Sequence, residues 1–245
     1  AQHFMKWAIV EYADKGIHVK FGLIIIENCI FRLNNIGLFT SDAGRITAND
    51  TLIVSNVQYG VLSTWFDSSI SLNRVKVVHN GIGIDIFYGN IDVKNSIIAR
   101  NRGSGICLPS GGYWYIDIHL HNCTIAENQG YGVDGQRWVV KPVYIVGCTI
   151  TLNALSGCRF SESSWGPICI YNSTISKNSY NGIYGFINNA TYMNIYDNNP
   201  YDFRNVISSD IKIPHNWWGT TNETIINNKI CLLYTSDAAD ERSSV

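Results

Sequence analysis

The feature that most constrains the fold of this chain is a short phrase that returns eight times and closes on an asparagine. Its fullest form, Asn-Cys-Thr-Ile-x-x-Asn-x-x-x-Gly-Val, occupies residues 122–133. The closing asparagines are Asn34, Asn56, Asn80, Asn101, Asn128, Asn153, Asn178 and Asn198. The shortest step, from Asn178 to Asn198, is 20 residues, and the longest, from Asn101 to Asn128, is 27. A repeat at this period predicts a solenoid in which stacked coils share one core.

The residues within each copy predict β-strands rather than helices. Ile116, Ile118 and Leu120 alternate with polar residues, so their side chains would lie on one face of a strand. The linking phrases are rich in Asn and Gly, which tolerate left-handed turns. We expect the closing asparagines to stack and hydrogen-bond from coil to coil. The residues three places before them form an inward apolar column: Phe31, Ile53, Val77, Ile98, Ile125, Ile150, Ile175 and Ile195.

The full phrase Asn-[Cys/Ser]-Thr-Ile-x-x-Asn-x-x-x-Gly-Ile resembles the repeat of right-handed parallel β-helix proteins, whose architecture is that of the pectate-lyase-like superfamily. The resemblance covers about residues 15–230. It implies an all-β fold, a single-stranded right-handed parallel β-helix of about eight to ten coils. Each coil would hold three short strands, with the closing asparagine making a tight turn before the third. The longest and most variable segment would then lead into the next coil.

What this resemblance implies about function is broad. Similar proteins include pectate and other polysaccharide lyases, polygalacturonases, phage tailspikes, surface adhesins and periplasmic copper-site maturation proteins. The polygalacturonase set Asn-Thr-Asp, Asp-Asp, Gly-His-Gly and Arg-Ile-Lys is absent from the sequence, and no acidic calcium cluster followed by an arginine stands out. The resemblance therefore implies the fold and an extracellular or cell-surface location, with the periplasm as an alternative. It assigns no catalytic residue.

Both ends of the sequence depart from the repeat. We expect residues 1–230 to form the β-helix, truncated at its N-terminus and without a signal peptide in the chain. Residues 231–245 are expected to be a non-native tail, because they resemble a translated sequencing adapter; the sequence would then be a metagenomic fragment. The segment Asn216-Trp217-Trp218-Gly219-Thr220 resembles the closing segment of many β-helices, and it predicts an aromatic cover on the last coil.

Charge, hydropathy and cysteine spacing argue against several classes of function. The formal net charge is −1, and only 15% of residues are charged, which gives no support to nucleic acid or anionic membrane binding. No apolar run is long enough to span a membrane. Cys29, Cys123 and Cys148 share one repeat position and form no Cys-x-x-Cys pair, so we expect small buried residues rather than zinc ligands.

The first candidate site is a polar strand face. If Ile116, Ile118 and Leu120 point inward, then Asp117, His119 and His121 point outward together. Alignment of the coils places Asp92 beside His119, Lys94 beside His121 and Tyr144 on the following coil. Such a group suits a divalent metal or proton transfer. The alternative is a solvated strand face with favourable cross-strand pairs and no function.

The second candidate is a column after the third-strand glycine. It contains Leu62, Asp85, Cys107, Asp134, Arg159 and Tyr184. Asp85 and Asp134 are two coils apart, which at the strand spacing is about 9.5 Å, close to the carboxylate separation of inverting glycoside hydrolases. The pair could also hold Ca²⁺ through an acidic sugar. Isolated exposed acids without a function are the alternative.

Aromatic residues recur in the segments between coils. They are Trp65, Phe66, Phe87, Tyr88, Tyr113, Trp114, Tyr115, Trp138, Trp165 and Phe186. Rings spaced along one edge of a solenoid suit stacking on sugars, but they can equally pack on each other and anchor loops.

Three functional hypotheses follow. In the first, a secreted or cell-surface protein binds polysaccharide through Tyr113, Trp114, Trp138, Trp165, Asp85, Asp134 and Arg159. In the second, it is a polysaccharide lyase or glycoside hydrolase whose catalytic residues are Asp92, Asp117, His119 and His121. In the third, it is a periplasmic copper-linked accessory protein. Ca²⁺ or another divalent metal is the expected cofactor, if there is one, with His119, His121 and Asp117 as ligands.

Overall fold

The computed structural model describes residues 2–108, 118–135, 142–161, 167–206, 211 and 213–232. Within these ranges the chain is a parallel β-solenoid with a single short helix near its C-terminal end. All strand pairs that form it are parallel and join successive coils. The predicted all-β solenoid is therefore confirmed.

One sheet is built from the Thr-Ile phrase of the repeat. It contains nine strands of three residues each, one per coil, which agrees with the expected eight to ten coils. The strands are β2 Ile9–Glu11, β4 Ile30–Arg32, β6 Leu52–Val54, β8 Lys76–Val78, β10 Ile97–Ala99, β13 Thr124–Ala126, β16 Thr149–Thr151, β19 Thr174–Ser176 and β22 Asn194–Tyr196. From β4 onward the central residue of each strand belongs to the predicted inward column, and that column is fully buried.

The second sheet contains fifteen strands and carries the first and third strands of the coils. In its N-terminal part these are β1 Gln2–Lys6, β3 Lys15–Glu27, β5 Ile36–Asn49, β7 Tyr59–Asn73 and β9 Ile82–Lys94. After β9 the sheet divides into third strands and first strands. The third strands are β11 Ile106–Cys107, β14 Val133–Gly135, β17 Cys158–Phe160, β20 Asn181–Tyr184, β23 Tyr201–Asn205 and β24 Ile230–Leu232. The first strands are β12 Ile118–His121, β15 Val143–Val146, β18 Ile168–Tyr171 and β21 Asn189–Thr191.

The expectation of three short strands and a variable linking segment in every coil is wrong for the early coils. In β3, β5, β7 and β9 the third strand continues without a break into the first strand of the next coil. The chain bends within these strands at residues of positive φ, such as Gly22 at 88° and Gly89 at 103°. A Cβ on Gly89 would come within 2.5 Å of the Ser68 carbonyl oxygen, so this bend needs glycine for space as well as for backbone conformation.

The turn before the third strand also differs from the prediction. The left-handed residue is not the closing asparagine but the residue before it, for example Leu33, Arg100 or Lys177, with φ between 55° and 56°. The closing asparagine is buried instead and turns its amide along the solenoid. Because this corner is held by that amide, side chains of many kinds are tolerated at the left-handed position.

The buried asparagines form the expected ladder. The Nδ2 group of each asparagine from Asn34 to Asn178 donates to Oδ1 of the asparagine on the next coil, at 2.8–3.2 Å. The same Oδ1 also accepts the backbone N–H of the preceding asparagine, as between Asn128 and Asn101 at 3.1 Å. Each coil is therefore fixed to the next by directional bonds as well as by apolar burial.

Asp202 ends this ladder. The backbone N–H and Nδ2 of Asn198 both donate to Asp202 Oδ1, at 3.0 and 2.8 Å. In the preceding coil the position of Asp202 is occupied by Gly182, where a Cβ would meet Asn198 Nδ2 at 2.7 Å. Asp202 thus occupies the position that glycine has in the preceding coil. Its carboxylate accepts the hydrogen bonds that the Oδ1 of a further asparagine would accept in the ladder. Burial raises the pKa of Asp202, although the hydrogen bonds from Asn198 lower it.

The C-terminal end of the core is covered by one tryptophan and one helix. Trp218 is buried, whereas Trp217 is 47% exposed, so only one of the two predicted aromatic residues covers the core. Helix α1, Glu223–Lys229, begins at the N-cap Asn222 and buries Ile226. β24 then pairs with β23, so the strand extends two residues past the domain boundary expected at residue 230. Residues 233–245 of the expected tail lie outside the described residues.

The shared cysteine position is buried as expected. Cys29, Cys123 and Cys148 are each 1% exposed, and all three are free thiols. Cys123 Sγ donates to the carbonyl oxygen of His121 at 3.2 Å, the same bond that the hydroxyl of Ser96 makes to Lys94. At the corner between the first and second strands, this column therefore holds a small side chain that donates a hydrogen bond to the carbonyl oxygen two residues earlier.

Candidate functional site

The first-strand face consists of the outward side chains of Asp92, Lys94, His119, His121 and Tyr144. β12 lies between β9 and β15, and its register pairs His119 with Asp92 on one side and with Tyr144 on the other. His121 pairs with Lys94. Alternation along β12 buries Ile118 and Leu120 and leaves both histidines half-buried. The predicted neighbours are therefore brought together on three adjacent coils.

Three rings on this face are nearly parallel. The centroids of His119 and Tyr144 are 5.2 Å apart with 11° between the planes, and those of His119 and His121 are 5.8 Å apart with 15° between the planes. The spacing of His119 and Tyr144 follows from the strand geometry, because neighbours on adjacent coils are separated by about 4.8 Å, whereas His119 and His121 are two residues apart on one strand, a separation of about 6.6 Å. The imidazole and phenol groups are thus held in fixed positions by one another.

The carboxylate of Asp92 is only partly engaged. Lys94 Nζ lies 2.6 Å from Asp92 Oδ2, and both side chains reach solvent. Asp92 Oδ1 is buried and has no hydrogen-bond partner in the described part of the chain. A buried oxygen without a donor is unfavourable by about 1–3 kcal/mol. Asp92 therefore has the capacity to accept a further hydrogen bond on this face.

The environment of His121 favours its neutral form. Its pKa is lowered mainly by partial burial, and further by the neighbouring charges of His119 and Lys94, while Asp92 acts in the opposite direction. A neutral imidazole can accept a proton or bind a metal ion. His121 is thus suited to either role.

Several predicted site residues cannot be placed. Asp117, Tyr113, Trp114, Trp138 and Trp165 lie outside the described residues. Among those that are described, no three His, Cys, Asp or Glu side chains are grouped so that they could hold a metal ion. The metal site of His119, His121 and Asp117 therefore stays a prediction.

The second candidate column is assembled in the predicted register. Asp85 pairs with Cys107, Cys107 with Asp134, Asp134 with Arg159, and Arg159 with Tyr184. We call this column, extended by Arg204, which pairs with Tyr184, the third-strand row. Asp85 is 1% exposed and Asp134 17% by its side chain, so the two acids are not a pair of open carboxylates.

Asp134 is held by Arg159, an ion pair that the sequence analysis missed. Arg159 Nε and Nη2 donate to the two carboxylate oxygens at 3.0 and 2.8 Å, and the guanidinium carbon lies 3.7 Å from the centroid of the Tyr131 ring. The signal was present, because opposite charges at neighbouring positions of one column predict a pair. Asp134 is therefore engaged rather than free for acid–base work.

Three of the four aromatic residues whose side chains are described lie within long strands rather than in loops. Trp65 is in β7 and is 50% exposed, while Phe87 and Tyr88 are half-buried in β9. Phe186 follows β20 and is also half-buried. Only Trp65 among these four presents a large exposed ring surface.

Comparison with protein families decides the classification. The sequence model of the family described as "Right handed beta helix region" matches residues 66–199. The chain belongs to the right-handed β-helix family. Comparison with curated proteins found no match, and comparison with solved structures found none. Membership in the family agrees with the parallel solenoid and indicates that it is right-handed. It does not assign a substrate or an activity to this right-handed β-helix. In the described part of the protein, no helix is long and apolar enough to cross a membrane.

Proposed function

We propose that this β-helix protein is secreted or displayed at the cell surface and binds polysaccharide along its first-strand face. The observation that carries the proposal is the polar row of Asp92, Lys94, His119, His121 and Tyr144, fixed in register on three adjacent coils. Sugar rings present many hydroxyl groups, and this row offers hydrogen-bond donors and acceptors, among them the positive charge of Lys94 and the negative charge of Asp92. Because the row runs along the solenoid, it suits a polymer that lies across successive coils.

The state of Asp92 and the exposed ring of Trp65 support the same proposal. Asp92 Oδ1 lacks a donor, which a sugar hydroxyl would supply. Trp65 lies in β7, the strand that pairs with β9 on the side away from β12. An exposed indole there would extend the surface by stacking on a sugar ring.

Retention of the protein in gels that contain neutral or acidic polysaccharides tests this proposal. We expect one or more polysaccharides to retard the wild-type protein, and the double variant His119→Ala/Tyr144→Ala to lose that retardation. Arg100→Ala is the matched control, because Arg100 is an exposed residue at another corner and, in the part of the chain that the structure describes, forms its ion pair with Glu127. Equal retardation of the double variant and the wild-type protein would refute binding at this face.

A second candidate function is a polysaccharide lyase or glycoside hydrolase at the same face. It is favoured by the lowered pKa of His121, which suits a general base, and by Lys94 beside Asp92 as a positive charge near the reacting sugar. Release of unsaturated ends would indicate a lyase, and release of reducing ends without unsaturation a hydrolase. We expect any such activity to disappear in His121→Ala, and the enzyme hypothesis is rejected if no polysaccharide is cleaved. No observation on the described residues favours the copper-linked hypothesis.

A further inference from the structure

The third-strand row contains two arginines in contrasting environments. Arg159 and Arg204 point outward from β17 and β23, with Tyr184 of β20 between them in the register. Each guanidinium lies near tyrosine rings: Arg159 over Tyr131, and Arg204 at 5.5 Å from the centroid of Tyr184. The two sites differ in what faces the charged group.

Arg159 is paired with a carboxylate, whereas Arg204 is paired with none among the described residues. The coil before Arg159 supplies Asp134, which binds the guanidinium through two hydrogen bonds. The coil before Arg204 supplies Tyr184, and the coil after it supplies Cys231. The nearby Asp202 is buried and accepts its hydrogen bonds from Asn198. Within the described residues, Arg204 makes no ion pair.

The guanidinium of Arg204 is also incompletely satisfied. Its Nε–H is buried and has no hydrogen-bond partner among the described residues. A second ring, Tyr201, lies 5.9 Å from the guanidinium carbon and adds to the support from Tyr184. Ring faces stabilise a cation, but they do not replace an in-plane acceptor for its N–H groups.

We propose that Arg204 is the anchor of a second binding site, on the third-strand row, for a carboxylate carried by a ligand. The ligand's carboxylate accepts two hydrogen bonds from the Arg204 guanidinium, as the carboxylate of Asp134 does from Arg159. The planar fork of an arginine matches the two oxygens of a carboxylate, and Tyr184 and Tyr201 flank it. This site is separate from the first-strand face and does not depend on binding there.

Titration of the full-length protein with sodium acetate, followed by NMR of the arginine Nε–H signals, tests the proposal. We expect a saturable shift of the Arg204 signal, while the Arg159 signal, whose carboxylate is internal, stays in place. Sodium glucuronate and N-acetylglycine are the second and third probes, and tighter binding of one identifies a sugar acid or a peptide carboxylate as the source. Sodium chloride at equal ionic strength is the control. Shifts no larger than those with chloride would overturn the proposal.

Two variants test whether acetate binding requires the guanidinium group of Arg204 or only a positive charge. Arg204→Lys keeps the charge but removes the fork, and we expect acetate to bind about ten-fold more weakly or not at all. Because this variant lacks the Arg204 Nε–H signal, isothermal titration calorimetry measures acetate affinity in both variants and in the wild-type protein. Arg102→Lys is the matched control at an exposed arginine on another coil, which donates to the Val57 carbonyl oxygen. Unchanged acetate affinity in Arg204→Lys would show that a point charge suffices and would contradict a site built on the guanidinium. The wild-type titration stands without either variant.

Discussion

The asparagine corner and the first-strand face are both columns of side chains that repeat at the spacing of the coils, yet they follow opposite rules. At the corner every coil from Asn34 to Asn198 carries the same residue, because each amide must donate to one neighbour and accept from another. On the face the residue changes from Asp92 to His119 to Tyr144. The identical side chains at the corner form the contacts that stabilise the solenoid, whereas the side chains of the face differ from coil to coil.

The largest effect that tests this contrast is expected at the middle of the ladder. Asn128→Ala removes the acceptor of Asn101 Nδ2 and the donor to Asn153 Oδ1, bonds of 2.9 and 3.0 Å between buried groups. The substitution also leaves the buried backbone N–H of Asn101 without its acceptor, and together these losses should lower the free energy of unfolding by about 3–5 kcal/mol. Urea denaturation of the variant and the wild-type protein measures this loss. A loss below about 1 kcal/mol would show that apolar burial alone fixes the coils.

The end of the ladder should give a smaller effect, because only one neighbour depends on it. Asp202→Ala leaves Asn198 N–H and Nδ2 without their shared acceptor, and we expect a loss of about 2–3 kcal/mol. Asp202→Asn keeps an oxygen at that position and is the matched control. At neutral pH it should be at least as stable as the wild-type protein. An equal loss in both variants would mean that Asp202 acts through its charge rather than as an acceptor.

The raised pKa of Asp202 leads to a prediction about how the stability of the protein depends on pH. Its folded pKa is raised above the unfolded value, so the folded state holds this proton more tightly. Its stabilising contribution is therefore fully present below the unfolded pKa and is lost as the pH rises through the folded pKa. Relative to Asp202→Asn, the wild-type protein should become less stable as the pH rises above the unfolded pKa of about 3.9 and through the raised folded pKa. Denaturation of both proteins at several pH values checks this, and parallel curves would contradict it.

The Asp134–Arg159 ion pair of the third-strand row is an intermediate case, because both side chains are mostly buried. Arg159→Gln removes both hydrogen bonds to Asp134 and the contact with Tyr131. Since both partners are mostly buried but still reach solvent, we expect a loss of about 1–2 kcal/mol. Thermal denaturation beside Arg100→Gln, whose ion pair is exposed, measures the difference. Equal losses of stability in the two variants would show that the Asp134–Arg159 pair stabilises the protein no more than an exposed ion pair does.

Repetition also explains how much could be predicted from the sequence. The inward column, the ladder and the neighbours Asp92, His119 and Tyr144 all follow from aligning the copies, and the structure confirms them. Alignment also placed Asp134 and Arg159 as neighbours of opposite charge in one column, but both were interpreted as ligand-binding residues, so their ion pair was missed. Asp202 was missed because it occupies a glycine position and looks like a mismatch. The long early strands were missed because a bend at Gly89 resembles a loop.

The smallest effect on stability is expected on the first-strand face. His119→Ala removes ring contacts with Tyr144 and His121 but no hydrogen bond to a described residue, so the free energy of unfolding should change by about 1 kcal/mol or less. Denaturation of this variant beside Asn128→Ala compares the two columns under the same conditions. A loss as large as that at Asn128 would show that the face holds the coils together. A small loss leaves its varied side chains free to serve a ligand, which is the role proposed for them.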